Sequence, residues 1–176
     1  MPLQRRRGAL VGAKPDTTFA QTPNTLWCWD ITRLRTTQPW VFLYLCVLLD
    51  WVSRKVVAWH LAETMESRGV RTLWDHGLQN EGLMELPQHV HLRSLSDRGT
   101  QMRSRLTRRF FARTGVEGLY ARPRTPNDNL DIEAFFSTLK GRLNCPGRFE
   151  HSAHAQAWCA EFFRWDNEEH HHRSLG

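Results

Sequence analysis

The stretch Thr25-Leu26-Trp27-Cys28-Trp29-Asp30-Ile31-Thr32-Arg33 alternates, with Leu26, Cys28, Asp30 and Thr32 on one face and Trp27, Trp29 and Ile31 on the other. A period of two marks a β-strand, and this strand carries an acid at its middle. An unpaired carboxylate among tryptophans and isoleucine is costly, so Asp30 calls for a partner or an ion.

Downstream, Val41 to Leu49 is continuously apolar, and Lys55 to Leu61 follows after Asp50-Trp51-Val52-Ser53-Arg54. These runs predict two more strands in an antiparallel meander. Ser67 is placed to cap a helix whose Val70, Leu73, Trp74 and Leu78 form one buried stripe. Pro87 ends that segment, and Val90, Leu92 and Leu95 lead through a short strand into the polar turn Ser96-Asp97-Arg98-Gly99. A helix is expected from Ser104 to Thr114, stopped by Gly115, and then a short strand from Val116 to Tyr120. Pro123, Pro126 and Asn127-Asp128-Asn129 make a loop. Ile132, Phe135, Phe136, Leu139 and Leu143 mark an amphipathic helix, and a final helix starts near Ser152 with Trp158, Phe162 and Trp165 on one side. Strands first, then strands mixed with helices, indicate an α/β domain in which a mixed five-stranded sheet is flanked by helices.

Bulk properties narrow the class. A chain of 176 residues suits one domain with a real core. Hydrophobic residues at 40% and charged residues at 24% favour neither disorder nor a membrane protein. The longest apolar run, Trp40 to Leu49, is well short of the roughly 18 residues a spanning helix needs. The N-terminus has charge but no apolar stretch after it, so export is not expected and the predicted location is the bacterial cytoplasm, on the nucleoid when DNA is bound. Residues 1–23, with Arg5, Arg6, Arg7, Pro15 and Pro23, read as a basic arm or the remnant of an upstream domain, and residues 24–176 as the core. Cys28, Cys46, Cys145 and Cys159 are scattered without a C-x-x-C pair, which suits free thiols in a reducing compartment. Net charge is +6, and only Lys14, Lys55 and Lys140 are lysines. An arginine-rich surface matches phosphate oxygens and points to a polyanionic partner.

Two further acids join Asp30 as candidates. Asp97 lies where a hydrophobic strand ends, and sites gather at strand ends in α/β sheets. Glu133 shares a helix face with Ser137 and Lys140. Taken singly, Asp97 also reads as a turn cap and Glu133 as an exposed helix acid. Two carboxylates about 4 Å apart repel by roughly 4 kcal/mol at an effective dielectric of 20, a conflict that hard divalent cations remove. Two such ions can activate a water or a 3′-hydroxyl and stabilise the leaving oxygen of a phosphodiester.

Residues 98–132, thirty-five positions, separate Asp97 from Glu133. This spacing resembles the Asp, Asp-35-Glu signature of retroviral integrases and insertion-sequence transposases. Six words resemble, in order, OrfB-type transposases of the insertion-sequence-three group: Trp27-x-Trp29-Asp30-Ile31-Thr32, Leu48-Leu49-Asp50-x-x-Ser53-Arg54, Ser96-Asp97-Arg98-Gly99, Arg122-Pro123-Arg124-x-Pro126-x-Asp128-Asn129, Glu133-x-x-Phe136-x-x-Leu139-Lys140 and Asn167-x-x-His170-x-His172. The resemblance runs from about Pro23 to Gly176. Leu95 and Asp166 depart from it, standing where the group often has His and Tyr.

The resemblance implies an RNase H-like fold with Asp30, Asp97 and Glu133 holding two Mg²⁺ ions, for which Mn²⁺ could substitute. It implies DNA strand cleavage and strand transfer in transposition, DNA contact by Lys140, and weaker DNA contacts by Arg122, Arg124, Asn129, His170 and His172. Asp50 is matched but is not a ligand. Transposon ends and target DNA would be the substrates, a homo-oligomer the working form, and a helix-turn-helix protein or upstream segment a partner, since the chain reads as a piece of a longer transposase. Consecutive His170, His171 and His172 point in different directions on a helix and make a poor zinc set. Trp27, Trp29, Trp158 and Trp165 read as core rather than base-stacking platforms. The rival functions are a catalytically silent DNA-binding remnant and an RNase H-like nuclease of RNA-DNA hybrids.

Overall fold

The computed structural model describes residues 13–84 and 91–169. Alternation around Asp30 builds strand β1 (Leu26–Arg35), followed by β2 (Phe42–Asp50) and β3 (Val56–Ala62). Helix α1 (Ser67–Asn80) leads to β4 (Arg93–Ser96), and α2 (Arg105–Thr114) leads to β5 (Glu117–Tyr120). Helices α3 (Leu130–Gly141) and α4 (Ser152–Glu168) close the described chain. The sheet order is β3-β2-β1-β4-β5. β1, β2 and β3 pair antiparallel as a meander, whereas β4 pairs parallel with β1 and with β5. Parallel neighbours need crossovers, and α1 and α2 supply them.

Because successive strand side chains point to opposite faces, β1 sits at the centre of two cores. Leu26 and Cys28 pack with Leu95 and with Ile132, Phe135, Phe136 and Leu139 of α3 and Phe162 and Phe163 of α4. Trp27 and Trp29 pack on the other side with Leu73 and Trp74 of α1 and Phe111 of α2. The Trp74 ring lies 5.6 Å from Trp27, 6.1 Å from Trp29 and 4.8 Å from Phe111 between centroids. Burying such rings contributes most of the drive for a layer of this kind. Gly77 lets α1 approach the sheet, since a Cβ there would lie 2.9 Å from Leu48 Cδ1 and 3.2 Å from Trp27 Cζ3. Helix, sheet and helix thus form three layers, the α/β architecture expected from the sequence.

Most helix punctuation matches its chemistry. The Ser104 hydroxyl accepts the Thr107 N–H at 3.1 Å, and Gly115 ends α2 at φ 79. Three expectations differ. Ser67 is the first helical residue of α1, behind an extended Glu66 that makes no side-chain cap. Trp40 and Val41 do not begin β2: Trp40 adopts φ 65 in a turn and is 91% exposed. Leu143 lies beyond α3, fully exposed, because Arg142 turns extended after Gly141. The expected loop at Pro126 tightens into a 3-10 turn, Pro126–Asn129. Trp27 and Trp29 are core as expected, while Trp158 and Trp165 pack half-buried at its margin. Pro87 and Val90 fall outside the described residues.

Candidate active site

Strand register brings Asp97 to Asp30. β4 runs parallel to β1 with Leu26 opposite Arg93, Trp27 opposite Ser94 and Cys28 opposite Leu95. Continued by two residues, that register sets Asp97, just past the end of β4, beside Asp30 on the face that already holds Cys28 and Leu95. α3 covers this face with Ile132, Phe135, Phe136 and Leu139 buried. Glu133, in the first turn of α3, is exposed at the flank of that apolar stripe. One strand, one strand end and one helix start thus each contribute a carboxylate to the same region.

Electrostatics register their proximity. Burial pushes the half-buried Asp30 carboxyl up from 3.8 to about 6; the Ile31 N–H opposes this, and the charges of Asp97 and Glu133 add to it. Asp30 Oδ1 accepts that Ile31 N–H at 2.8 Å, and Asp97 Oδ1 accepts the Gly99 N–H at 2.7 Å. Asp30 and Asp97 thus each have one oxygen bonded to a backbone N–H close by in the chain. Among the described residues no group of three or more His, Cys, Asp or Glu side chains is placed to hold a metal ion. The donor set is nonetheless all carboxylate oxygen, which suits a hard cation such as Mg²⁺.

The Ser-Asp-Arg-Gly word has a local reason for each letter. A Cβ on Gly99 would sit 3.0 Å from Asp97 Oδ1 and 3.0 Å from Met102 Sδ, so glycine lets the turn close on the acid. Arg98 Nε donates to the Ala121 carbonyl at 3.1 Å and ties the turn to the end of β5. Ser96 Oγ donates to the Asp97 carbonyl at 3.0 Å.

Lys140, two turns beyond Glu133, donates from Nζ to Thr32 Oγ1 at 2.6 Å, which sets its charge over β1 two residues from Asp30. Partial burial of the ammonium, then the charges of Arg33 and Arg35, hold Lys140 below the ordinary lysine value. Arg122 has its guanidinium forked onto buried Asp128: Nε and the backbone N–H donate to Oδ2 at 2.9 Å each, and Nη2 donates to Oδ1 at 2.9 Å. That fork holds the Asp128 carboxyl below the usual range, and it makes Arg122 a brace for the loop before α3. Arg124 is exposed at φ 56. Asn129 is buried, and its Oδ1 has no hydrogen-bond partner among the described residues. His170 and His172 lie outside the described residues.

Asp50 and Asn167, each from a matched word, have structural roles. Buried Asp50 accepts the Val52 and Ser53 N–H groups and the Ser53 hydroxyl on Oδ1, and the Asn24 N–H on Oδ2. It folds the β2–β3 turn, from which Arg54 reaches an ion pair with Asp131 at the start of α3. Asn167 Oδ1 accepts the Val56 N–H at 2.8 Å and its Nδ2 donates to the Val56 carbonyl at 3.0 Å, so α4 closes the edge of β3. The Asp50-x-x-Ser53 spacing is a local turn signal, whereas the role of Asn167 carries none beyond the residue type, because Val56 is distant in the chain.

Comparison with known proteins gives the family and the fold. The profile of the Integrase core domain matches residues 20–126, and a second Integrase core domain profile matches residues 114–176. The chain belongs to the integrase core domain family. Among relatives of this core, the Transposase for insertion sequence element IS904 of Lactococcus lactis subsp. lactis (strain IL1403) is 34% identical over 139 residues, 77% of this chain and 51% of that protein. Transposase InsF for insertion sequence IS3A of Escherichia coli (strain K12) is 31% identical over 122 residues, 69% of this chain and 40% of that protein. The chain thus spans about half or less of the length of these relatives. The HTLV-2 integrase catalytic core domain, solved in complex with magnesium, superposes with TM-score 0.61 at 17% identity over 86% of this chain and 91% of that one. The catalytic domain of Mos1 mariner transposase superposes with TM-score 0.63 at 16% identity over 84% of this chain and 72% of that one. The fold of this integrase core is RNase H-like, as expected, and the expected likeness to insertion-sequence-three transposases holds.

Proposed function

We propose that this chain is the catalytic core of a DNA transposase that cuts and joins strands at transposon ends, with Asp30, Asp97 and Glu133 as its metal-holding acids. The observation that carries the reading is the strand register: β4 runs parallel to β1 with Leu95 opposite Cys28, so Asp97 follows β4 at the level of Asp30. Three acids from three separate elements are a poor arrangement for stability alone and a suitable one for cations.

Asp30, Asp97 and Glu133 would together hold two Mg²⁺ ions, or Mn²⁺ in their place. Bound there, the ions would supply Lewis-acid activation of an attacking hydroxyl and charge stabilisation at the leaving oxygen. Ionised Asp30 supplies negative charge deep in the site, and its raised proton affinity makes it the acid most sensitive to mild acidification. Lys140, fixed by Thr32, offers a cation to a scissile-strand phosphate. Arg124, exposed beside the braced loop, offers a second. Arg122 acts by holding that loop on Asp128. Recognition of particular DNA ends would fall to a helix-turn-helix segment or partner, and pairing of two ends to a homo-oligomer.

The test uses duplex oligonucleotides bearing the inverted repeats that flank the coding sequence. Asp30→Ala, Asp97→Ala and Glu133→Ala should each abolish strand transfer and weaken Mn²⁺ binding measured by electron paramagnetic resonance, with the circular dichroism spectrum unchanged. Full strand transfer by any one of them overturns the assignment of that acid. Carboxylate-independent Mn²⁺ binding across the series overturns the metal reading.

A further inference from the structure

One feature the acids do not absorb is a cleft of about 730 Å³ at the far end of β1, lined by Thr32, Arg33, Arg35, Trp40, Lys140 and Arg148 among others. Among the described residues no acidic one lines it. Among the described residues none of its four cations is ion-paired with a carboxylate, whereas Arg54, Lys55, Arg93, Arg122 and Arg164 all are. β4 pairs with β1 only as far as Cys28, and the same edge of β1 is met again at its end, where the Phe149 N–H donates to the Arg35 carbonyl at 2.9 Å, so the stretch between borders this cleft. Charges on an unpaired stretch of edge ordinarily serve to prevent strand pairing. Trp40 does not fit that purpose.

The Trp40 indole is 91% exposed at the rim of the cleft. It occupies the third position of a turn led by Gln38 and Pro39 and closed by the Val41 N–H to the Gln38 carbonyl at 3.3 Å. Its φ of 65 is the conformation in which such turns favour glycine. A bulky residue there costs free energy in the folded state and recovers none by burial, a pattern that points from strain toward function. The turn is also rigidly mounted. Thr36 Oγ1 donates to the Val41 carbonyl at 2.8 Å, and the Thr37 N–H reaches the Phe149 carbonyl at 3.0 Å. The indole is therefore held out beside a cationic groove, preorganised and uncovered.

We propose that this cleft binds a single-stranded segment of DNA, with phosphates along Lys140, Arg33, Arg35 and Arg148 and one unstacked base against the Trp40 indole. A cationic track with an exposed aromatic is the general means of holding single strands without sequence preference, since every base has a π-face. A duplex, whose bases are already stacked, has no use for Trp40. Thr32 lines the cleft and binds Lys140 beside Asp30, so a strand leaving the acids enters it directly. The five steps from Asp30 to Arg35 span roughly 16 Å of extended chain, enough for a few nucleotides. The proposal rests on the transposase reading only in taking DNA as the polyanion.

The full chain is titrated into fluorescein-labelled oligo-dT and, separately, a duplex of equal length, in EDTA so that the acids play no part. Wild-type protein should bind oligo-dT more tightly than duplex. Trp40→Ala and Trp40→Gly should weaken oligo-dT binding by about tenfold or more, leave duplex binding unchanged, and be largely rescued by Trp40→Phe. Trp40→Gly relieves the backbone strain, so its Tm should equal or exceed wild type and a binding loss cannot be put down to unfolding. The double variant Arg33→Ala/Arg35→Ala should flatten the log-log salt dependence of oligo-dT binding by about 1.4, at about 0.7 per phosphate contact. Wild-type affinity in Trp40→Gly overturns the proposal, as does an unchanged salt slope in the arginine double variant or tighter binding to duplex. Such a result leaves the acids untouched, and a failed strand-transfer assay leaves these binding curves standing.

Discussion

Replacing Asp30 by Asn should make the fold more stable at neutral pH while removing the proposed chemistry. The amide is nearly isosteric and keeps an oxygen for the Ile31 N–H, now 2.8 Å from Asp30 Oδ1. The Asp30 carboxyl is raised from 3.8 in the unfolded chain to about 6 in the fold, first by burial and then by Asp97 and Glu133. The native state therefore binds more protons than the unfolded state between those values. Its favourable contribution is fully present below 3.8 and is lost as pH rises through about 6. Above that window the ionised carboxylate costs about 3 kcal/mol at 1.36 kcal/mol per pH unit, and solvent at the half-buried group reduces this to about 1–2 kcal/mol. For a domain of this size 1 kcal/mol moves Tm by about 2–4 °C. Differential scanning fluorimetry in EDTA should place Asp30→Asn a few degrees above wild type at pH 7.5, with the gap closing at pH 3.5. Millimolar Mg²⁺ at pH 7.5 should narrow the gap by stabilising wild type alone. Equal melting at pH 7.5, or a gap independent of pH, would refute the account of Asp30 as a strained carboxylate facing two others.

Two further perturbations probe the frame that carries the acids. Asp50→Ala removes the acceptor for three backbone N–H groups and a hydroxyl at the β2–β3 turn; it should cost about 3 kcal/mol in urea denaturation, and a loss below about 0.5 kcal/mol would show the turn folds without it. Gly77→Val inserts atoms where a Cβ already meets Leu48 Cδ1 at 2.9 Å; about 1–3 kcal/mol of destabilisation is expected, and an unchanged Tm would mean that α1 can withdraw freely from the sheet.

Local pattern made most of the architecture readable. Alternation at Leu26 to Thr32 assigned the tryptophans to one face and Asp30 to the other, and the stripe at Val70, Leu73, Trp74 and Leu78 assigned the buried face of α1. Such periodicities report directly on which side of an element meets the core. Where the reading slipped, a neighbour or a turn overrode it. Val41 is apolar yet sits in the Pro39-Trp40 turn, and Leu143 continues the α3 stripe yet falls after the helix has ended.

The division at the site follows the same physics. Residue types, their order and the interval between Asp97 and Glu133 were all in the sequence, and they sufficed to single out the acids and to suggest their chemistry. Which cations remain available could only come from packing: Arg122 is committed to Asp128, whereas Arg33, Arg35 and Lys140 line one cleft with Trp40. Local periodicity determines the face an element presents. It cannot determine which distant side chain arrives there, because that depends on strand register, crossover and turn geometry summed over the whole chain.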